Sequence, residues 1–178
     1  MSNSIDILDI IVKAAVQAKV DYVDRTQINK LYEIAWEFDV NKYPFKGINA
    51  NEQLAYELIL YMLRQSRRTK TIKTSRGSKN VSLISIQVAK YIIEGLKYIM
   101  SQSTNEDTLT FKNRILRFLG LFKWAYESLS IIGEENEMIV REKIWQILQR
   151  KNVVITNMNY NQFIELINEL SKNDRLYR

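Results

Sequence analysis

Positively charged side chains are concentrated in two stretches of the chain that contain no acidic residue. Residues 58–93 carry eight of them and residues 108–126 carry four more, so the rest of the 178-residue chain must sum to −6 to give its net charge of +6. Such segregation suits a polyanion partner, because each phosphate that a cation neutralises releases a condensed counterion. All twelve except Lys90 are candidate nucleic-acid-binding residues, namely Arg64, Arg67, Arg68, Lys70, Lys73, Arg76, Lys79, Lys112, Arg114, Arg117 and Lys123.

The segment 67–80 is the most informative part of the first stretch, and we predict that it forms a long flexible loop. It is rich in Thr, Ser, Lys and Arg, it lacks apolar periodicity, and Gly77 interrupts it. Cations supply charge to phosphates, while hydroxyls and backbone amides donate hydrogen bonds to them. The alternative is a solvated loop without a partner, but charge this one-sided favours nucleic acid. We expect the loop to be disordered alone and to become ordered on binding.

Residues 108–129 form the predicted fifth helix, which adds the second group of cations. On a helical wheel Arg114 and Arg117 lie on the same flank as Trp124, whereas Lys112 and Lys123 lie on the opposite flank. Arg beside an aromatic ring can contact a phosphate while a base stacks nearby, as in many single-strand binders. The alternative is that Trp124 belongs to the core. We expect no sequence specificity, because phosphate contacts carry none and no helix-turn-helix pattern is present.

Catalysis and metal binding find little support in the residue types. The chain has neither Cys nor His, which excludes thiolate and imidazole metal sites and the common nucleophile–base pairs. Ser-Arg-Gly-Ser-Lys around Gly77 lacks the second Gly of a phosphate-binding P-loop. Helix capping explains the clustered acids more simply than metal binding does, and these are Asp21, Asp24, Glu106, Asp107, Glu134, Glu135 and Glu137. We therefore expect that the chain is not an enzyme and that it has no cofactor and no metal site.

The elements that carry these residues are predicted to be helices, and the fold class all-α. One Pro and five Gly leave few turn residues for a sandwich or barrel. Apolar residues recur at helical spacing in about 4–20, 25–39, 49–66, 86–100, 108–129, 134–150 and 159–172. We predict about five core helices in residues 1–133, including the basic loop, and a C-terminal two-helix extension in 134–178. A short strand at 81–86 remains open, because that segment is rich in β-branched residues.

Two further expectations concern the ends of helices and their surroundings. We predict helix caps at Ser4, at Asp24 with Gln27, and at Asn49 with Glu52, and a loop at 41–47 that contains the only Pro. The first helix is apolar almost all round, so it must be buried by its own fold or by a neighbouring subunit. Without a positive n-region or a membrane-length apolar run, the expected location is the cytoplasm, with no membrane partner.

Three short motifs resemble a known family. They are Arg25-Thr26-Gln27-Ile28-Asn29-Lys30-Leu31-Tyr32, then Leu54-Ala55-Tyr56 with Arg64 further on, and Leu116-Arg117-Phe118 followed by Phe122, Trp124 and Tyr126. In these places the chain resembles the small, all-helical, inner-filament subunit of Csm-type type III CRISPR effector complexes. It departs from the family pattern at Asn29, where Arg is preferred, at Arg64, which arrives about a turn late, and in its long tail after Gly133.

The resemblance implies a function without chemistry. Several copies would stack along the effector, together with other effector subunits, and hold the guide–target RNA duplex by its phosphates. Nuclease and cyclase activities would belong to those other subunits. Our hypothesis is thus a non-catalytic, sequence-independent RNA-binding subunit. The main alternative is a DNA-wrapping helical capsid or nucleoid-type protein of an archaeal filamentous virus, and a third is a protein–protein adaptor.

Overall fold

Seven α-helices and one β-hairpin make up the part of the chain that the structure, a computed structural model, describes: residues 6–39, 41, 49–131 and 133–172. The elements are α1 (Ile7–Val20), α2 (Arg25–Glu37), α3 (Ala50–Arg67), β1 (Thr69–Thr74), β2 (Gly77–Ser82), α4 (Ile86–Gln102), α5 (Thr108–Ser128), α6 (Glu137–Arg150), a 3-10 turn (Ile155–Asn157) and α7 (Tyr160–Lys172). The all-α helical-bundle prediction is confirmed. The predicted cap Ser4 and residues 42–47 of the predicted loop lie outside the described residues.

Helix α1 lies at the centre of the bundle and is buried by its own fold. Its buried side chains cover most of its surface and leave one partly exposed stripe with Asp9, Lys13 and Gln17. The helix packs against α4, α5, α6, α7 and the 3-10 turn. This resolves the alternative that the sequence left open, because no neighbouring subunit is needed to cover the helix. The side chains that are buried in α1 are Ile10, Ile11, Val12, Ala14, Ala15, Val16, Ala18 and Lys19.

Helix starts follow the local sequence in one predicted case and depart from it in another. Asn49 caps α3 as predicted, since its Oδ1 accepts the Glu52 N–H at 2.8 Å. The predicted capping box at Asp24 and Gln27 is wrong, because the Asp24 side chain makes no cap bond. The side chains of Asp24 and Gln27 each make a long-range interaction instead. Asp24 pairs with Lys70 at 2.5 Å, and Gln27 Oε1 accepts the Tyr61 hydroxyl at 2.7 Å.

The segment that was predicted as a flexible loop is a β-hairpin, so that prediction is wrong. Strands β1 and β2 pair antiparallel, from Thr69 with Ser82 to Thr74 with Gly77. Alternating Thr, Lys and Ile favour a pleated strand, and Gly77 takes a φ of +116° that other residues rarely adopt. The open alternative of a strand at 81–86 is met only at its first two residues, because β2 ends at Ser82.

The predicted C-terminal extension packs back onto the bundle. Helices α6 and α7 contact each other and α1, and their buried side chains belong to the same hydrophobic core as those of α1–α5. Asp9 on α1 fixes the start of α7, because its Oδ1 accepts the Tyr160 N–H at 2.8 Å. The division of the chain at residue 133 stays a prediction. Of the helices in the described ranges, none is long and apolar enough to cross a membrane.

Two glycines in the packed helices provide a matched test of this core. A Cβ built on Gly95 of α4 would lie 2.3 Å from the ring of Phe118 on α5, whereas one on Gly120 of α5 would meet only Tyr32, at 3.7 Å. Gly95→Ala should lower the free energy of unfolding by about 1–3 kcal/mol, because the ring must move. Gly120→Ala should raise it by up to about 1 kcal/mol through helix propensity.

Denaturant unfolding of the two variants, compared with the unsubstituted chain, measures both changes. Equal effects of the two substitutions would contradict the close packing of α4 on α5 at Gly95.

Candidate nucleic-acid interface

The two faces of the hairpin differ, because side chains alternate along each strand. One face, with Lys70, Ile72, Lys79 and Val81, is turned to the bundle. The other face carries hydroxyl and amide groups around Lys73, and Thr71 donates a hydrogen bond to Asn80 across the strands at 2.8 Å. The outer face consists of Thr69, Thr71, Lys73, Ser78, Asn80 and Ser82.

Two of the predicted phosphate ligands hold the hairpin against the turn between α1 and α2. Lys70 Nζ lies 2.5 Å from the Asp24 carboxylate, and Lys79 Nζ lies 5.5 Å from the centre of the Tyr22 ring. An ion pair between partly exposed groups contributes little stability, but it fixes orientation. The hairpin is therefore an ordered, docked element, which contradicts the prediction that this segment is disordered in the free chain.

A group of cations without ion-pair partners among the described residues lies on the hairpin and at the end of α3. They are exposed and make no ion pair with any residue that the structure describes. Arg68 makes only a long hydrogen bond, 3.5 Å, to the amide of Gln65. The hairpin follows α3 directly, so these side chains share one end of the bundle. We name this group the hairpin surface, and its members are Arg64, Arg67, Arg68, Lys73 and Arg76.

The predicted cations on α5 are placed elsewhere, and two of them are engaged. Lys112 Nζ donates to the carbonyls of Trp36 at 2.5 Å and Phe38 at 3.2 Å, at the C-terminal end of α2. Arg114 forms an ion pair with Glu106. The Glu106 carbonyl accepts a hydrogen bond from Asn51 at the start of α3, the end away from the hairpin. Helix α3 has 18 residues and is about 27 Å long. Arg114 therefore lies at the opposite end of α3 from the hairpin and does not join the hairpin surface.

Arg117 and Trp124 share the solvent-facing side of α5. Trp124 is 52% exposed, so the alternative that it belongs to the core is wrong. Arg117 is exposed and unpaired within the described residues, and seven residues of helix separate it from Trp124 by about 10 Å. Lys123 is half-buried on the flank that faces α2. The α5 residues thus form a second, smaller surface rather than an extension of the first.

The clustered carboxylates serve local structure. Asp107 caps α5, and hydrogen bonds from the backbone and hydroxyl of Thr110 hold the pKa of Asp107 below its usual range. Glu134 accepts the Asn136 N–H at 3.0 Å, and Glu137 pairs with Arg141. Within the described ranges, no group of three or more acidic side chains is arranged to hold a metal ion.

Sequence reasoning missed two buried cations beside the α1–α2 turn. Lys19 is 8% exposed and lies 4.2 Å from the ring centre of Tyr126, and Arg141, equally buried, lies 3.7 Å from that of Tyr22. Burial lowers the pKa of Lys19. The available signal was the position of a Lys in a helix that is otherwise apolar on almost every side. These contacts fix the turn on which the hairpin rests.

Replacing Lys19 tests this electrostatic arrangement. Because the folded state lowers the pKa of Lys19, the unfolded state binds its proton more tightly, and stability gains from this group as pH rises towards 10.5. Lys19→Met should therefore raise the free energy of unfolding at pH 7 by up to about 1 kcal/mol. The gain should shrink between pH 8 and 10.5 in denaturant titrations. A variant clearly less stable than the unsubstituted chain at pH 7 would show instead that the buried charge is favourable.

Comparisons of this chain with protein-family models, with curated proteins and with solved structures found no match. The likeness to the type III small subunit therefore rests on the three short motifs. Their positions are at the start of α2, near the start of α3, and in the second half of α5.

Proposed function

We propose that this chain is a non-catalytic protein that binds RNA through its phosphates, without sequence specificity. The observation that carries the proposal is the hairpin surface, where five exposed cations lie together in a stretch of 36 residues without an acid. Charge of one sign on an ordered, docked hairpin attracts a polyanion and releases its counterions.

The outer face of the hairpin supports RNA as the polyanion. Its hydroxyl and amide groups can donate to phosphate oxygens and can also exchange hydrogen bonds with the ribose 2′-hydroxyl, the group that distinguishes RNA from DNA. Lys73 lies among them, directly across from Ser78 and next to the hydrogen-bonded pair of Thr71 and Asn80. Contacts to phosphates and riboses carry no sequence information, which agrees with binding that is independent of sequence.

The larger assembly in this proposal is a type III CRISPR effector, in which copies of the chain lie beside one another along the guide–target duplex. An apolar stripe on the outer face of α3 would meet a neighbouring subunit, since Tyr56, Leu60 and Leu63 are exposed at helical spacing. This stripe leads along the same face to Arg67. Stacking of subunits would therefore align their hairpins along one polymer. The burial of α1 within its own fold does not separate this assembly from the viral capsid alternative, since both were expected to use such helices for self-stacking.

Neutralising the hairpin surface tests the proposal. The variant Arg67→Gln, Lys73→Gln, Arg76→Gln should bind duplex RNA more weakly whatever its sequence. The slope of log affinity against log salt should become less steep by about 2 to 3, because up to three phosphate contacts are lost. Fluorescence anisotropy across a salt series measures both quantities for single-stranded RNA, duplex RNA and duplex DNA.

The matched control neutralises three lysines on other helices, Lys13, Lys97 and Lys143, and changes the net charge by the same amount. It should keep most of the salt slope. If both variants lose the same affinity and salt slope, net charge alone explains the effect. An unchanged salt slope in the hairpin variant would refute phosphate binding at the hairpin surface. Equal affinity for duplex RNA and duplex DNA would favour the DNA-wrapping alternative.

A further inference from the structure

A groove of about 870 Å³ lies beside the hairpin, where α1 and α6 end. Residues distant in the sequence line it, among them Tyr22, Lys79, Arg141, Trp145, Gln146 and Asn152. Its volume is within the range of roughly 300–1,000 Å³ that is typical of small-molecule sites. Lys79 belongs both to the groove and to β2, so the groove is continuous with the hairpin.

Tyr22 occupies a backbone position that normally takes glycine. Helix α1 ends in a Schellman turn, in which the Val23 N–H donates to the Ala18 carbonyl at 3.0 Å and Tyr22 has a φ of 65°. A tyrosine in this conformation is uncommon and strained, and such outliers cluster at binding sites. The turn places the Tyr22 ring in the lining of the groove, where Lys79 of the hairpin and Arg141 of α6 lie over it.

Arg141 supplies an unsatisfied donor at the same place. It is 8% exposed, and its Nε is buried without a hydrogen-bond partner among the described residues, although another nitrogen pairs with Glu137 at 3.0 Å. A buried donor without an acceptor is unfavourable, and because this Nε is closed to solvent, a ligand acceptor would stabilise it only after a shift of the side chain.

The electrostatics of the groove favour a neutral ligand over an anion. Two helices present their negative C-terminal ends to it, since α6 also closes in a Schellman turn, at Asn152. Asp21 and Glu142 line the groove and offset the charges of Lys79 and Arg141. Amide side chains supply both donors and acceptors, and Trp145 lies 51% exposed on α6. These are the groups that recognise a flat, uncharged heteroaromatic ring.

We propose that the groove holds the base of an unpaired nucleotide, stacked on Trp145, while the strand leaves the groove beside Lys79 and its phosphates continue onto the hairpin surface. The path of the strand rests on the proposed function, whereas the base site stands on the groove itself. Sequence-tolerant stacking would then supply affinity that salt does not screen.

Substitution of Trp145 tests the base site. Trp145→Ala should weaken binding of a short single-stranded oligoadenylate by about five- to a hundredfold, with an unchanged salt slope, because stacking and not charge is lost. Trp36→Ala, which removes another exposed tryptophan on α2, is the matched control and should leave affinity unchanged. Wild-type affinity in Trp145→Ala would overturn the proposal.

A second measurement separates this inference from the proposed function. In the variant Trp36→Phe, Trp124→Phe, Trp145 is the only tryptophan, and adenosine monophosphate should quench its fluorescence while ribose 5-phosphate should not. No quenching, or equal quenching by both compounds, would overturn the base site even if the hairpin binds RNA. Conversely, quenching by the nucleotide would support the base site even if the hairpin variant shows that phosphate binding there fails.

Discussion

Helix α1 is buried over most of its surface, and the positions of the other elements follow from covering it. Helices α4, α5, α6 and α7 all pack on it and leave only a partly exposed stripe that includes Lys13 and Gln17. Since a helix that is apolar on almost every side cannot be left exposed, the chain after residue 133 has a structural role even without a ligand. The same helix ends at the turn that receives the hairpin, so the core also determines where the charged surface projects.

The helices could be predicted from the sequence because each carries its own periodic apolar stripe, which is local information. The hairpin could not, because its strands are only six residues long, mostly polar, and packed on one side. Its stability depends on pairing between strands and on docking to Asp24 and Tyr22, and those contacts depend on the tertiary fold. The failed capping box at Asp24 has the same origin, because an ion pair from β1 replaces a local bond.

Charge spacing identified the basic side chains but not their roles. Lys70, Lys112 and Arg114 looked equivalent to Arg67 and Lys73 in the sequence, yet each of the three is engaged with a carboxylate or with helix carbonyls. The groove could not be predicted from the sequence for a different reason. Tyr22, Lys79 and Trp145 are far apart in the chain, and only the packing of α6 against the end of α1 brings them together.

The hairpin leaves the helical bundle and returns to it at nearly the same point, since the Leu83 N–H donates to the Arg68 carbonyl at 2.9 Å. The fourteen residues between these two positions therefore span almost no distance, and a short link could join α3 to α4 directly. Segments with adjoining ends can be gained, lost or exchanged with little effect on the host fold. The hairpin, with Lys73 and Arg76, is thus a segment that could be removed or exchanged while Arg64, Arg67 and the helical core stay in place.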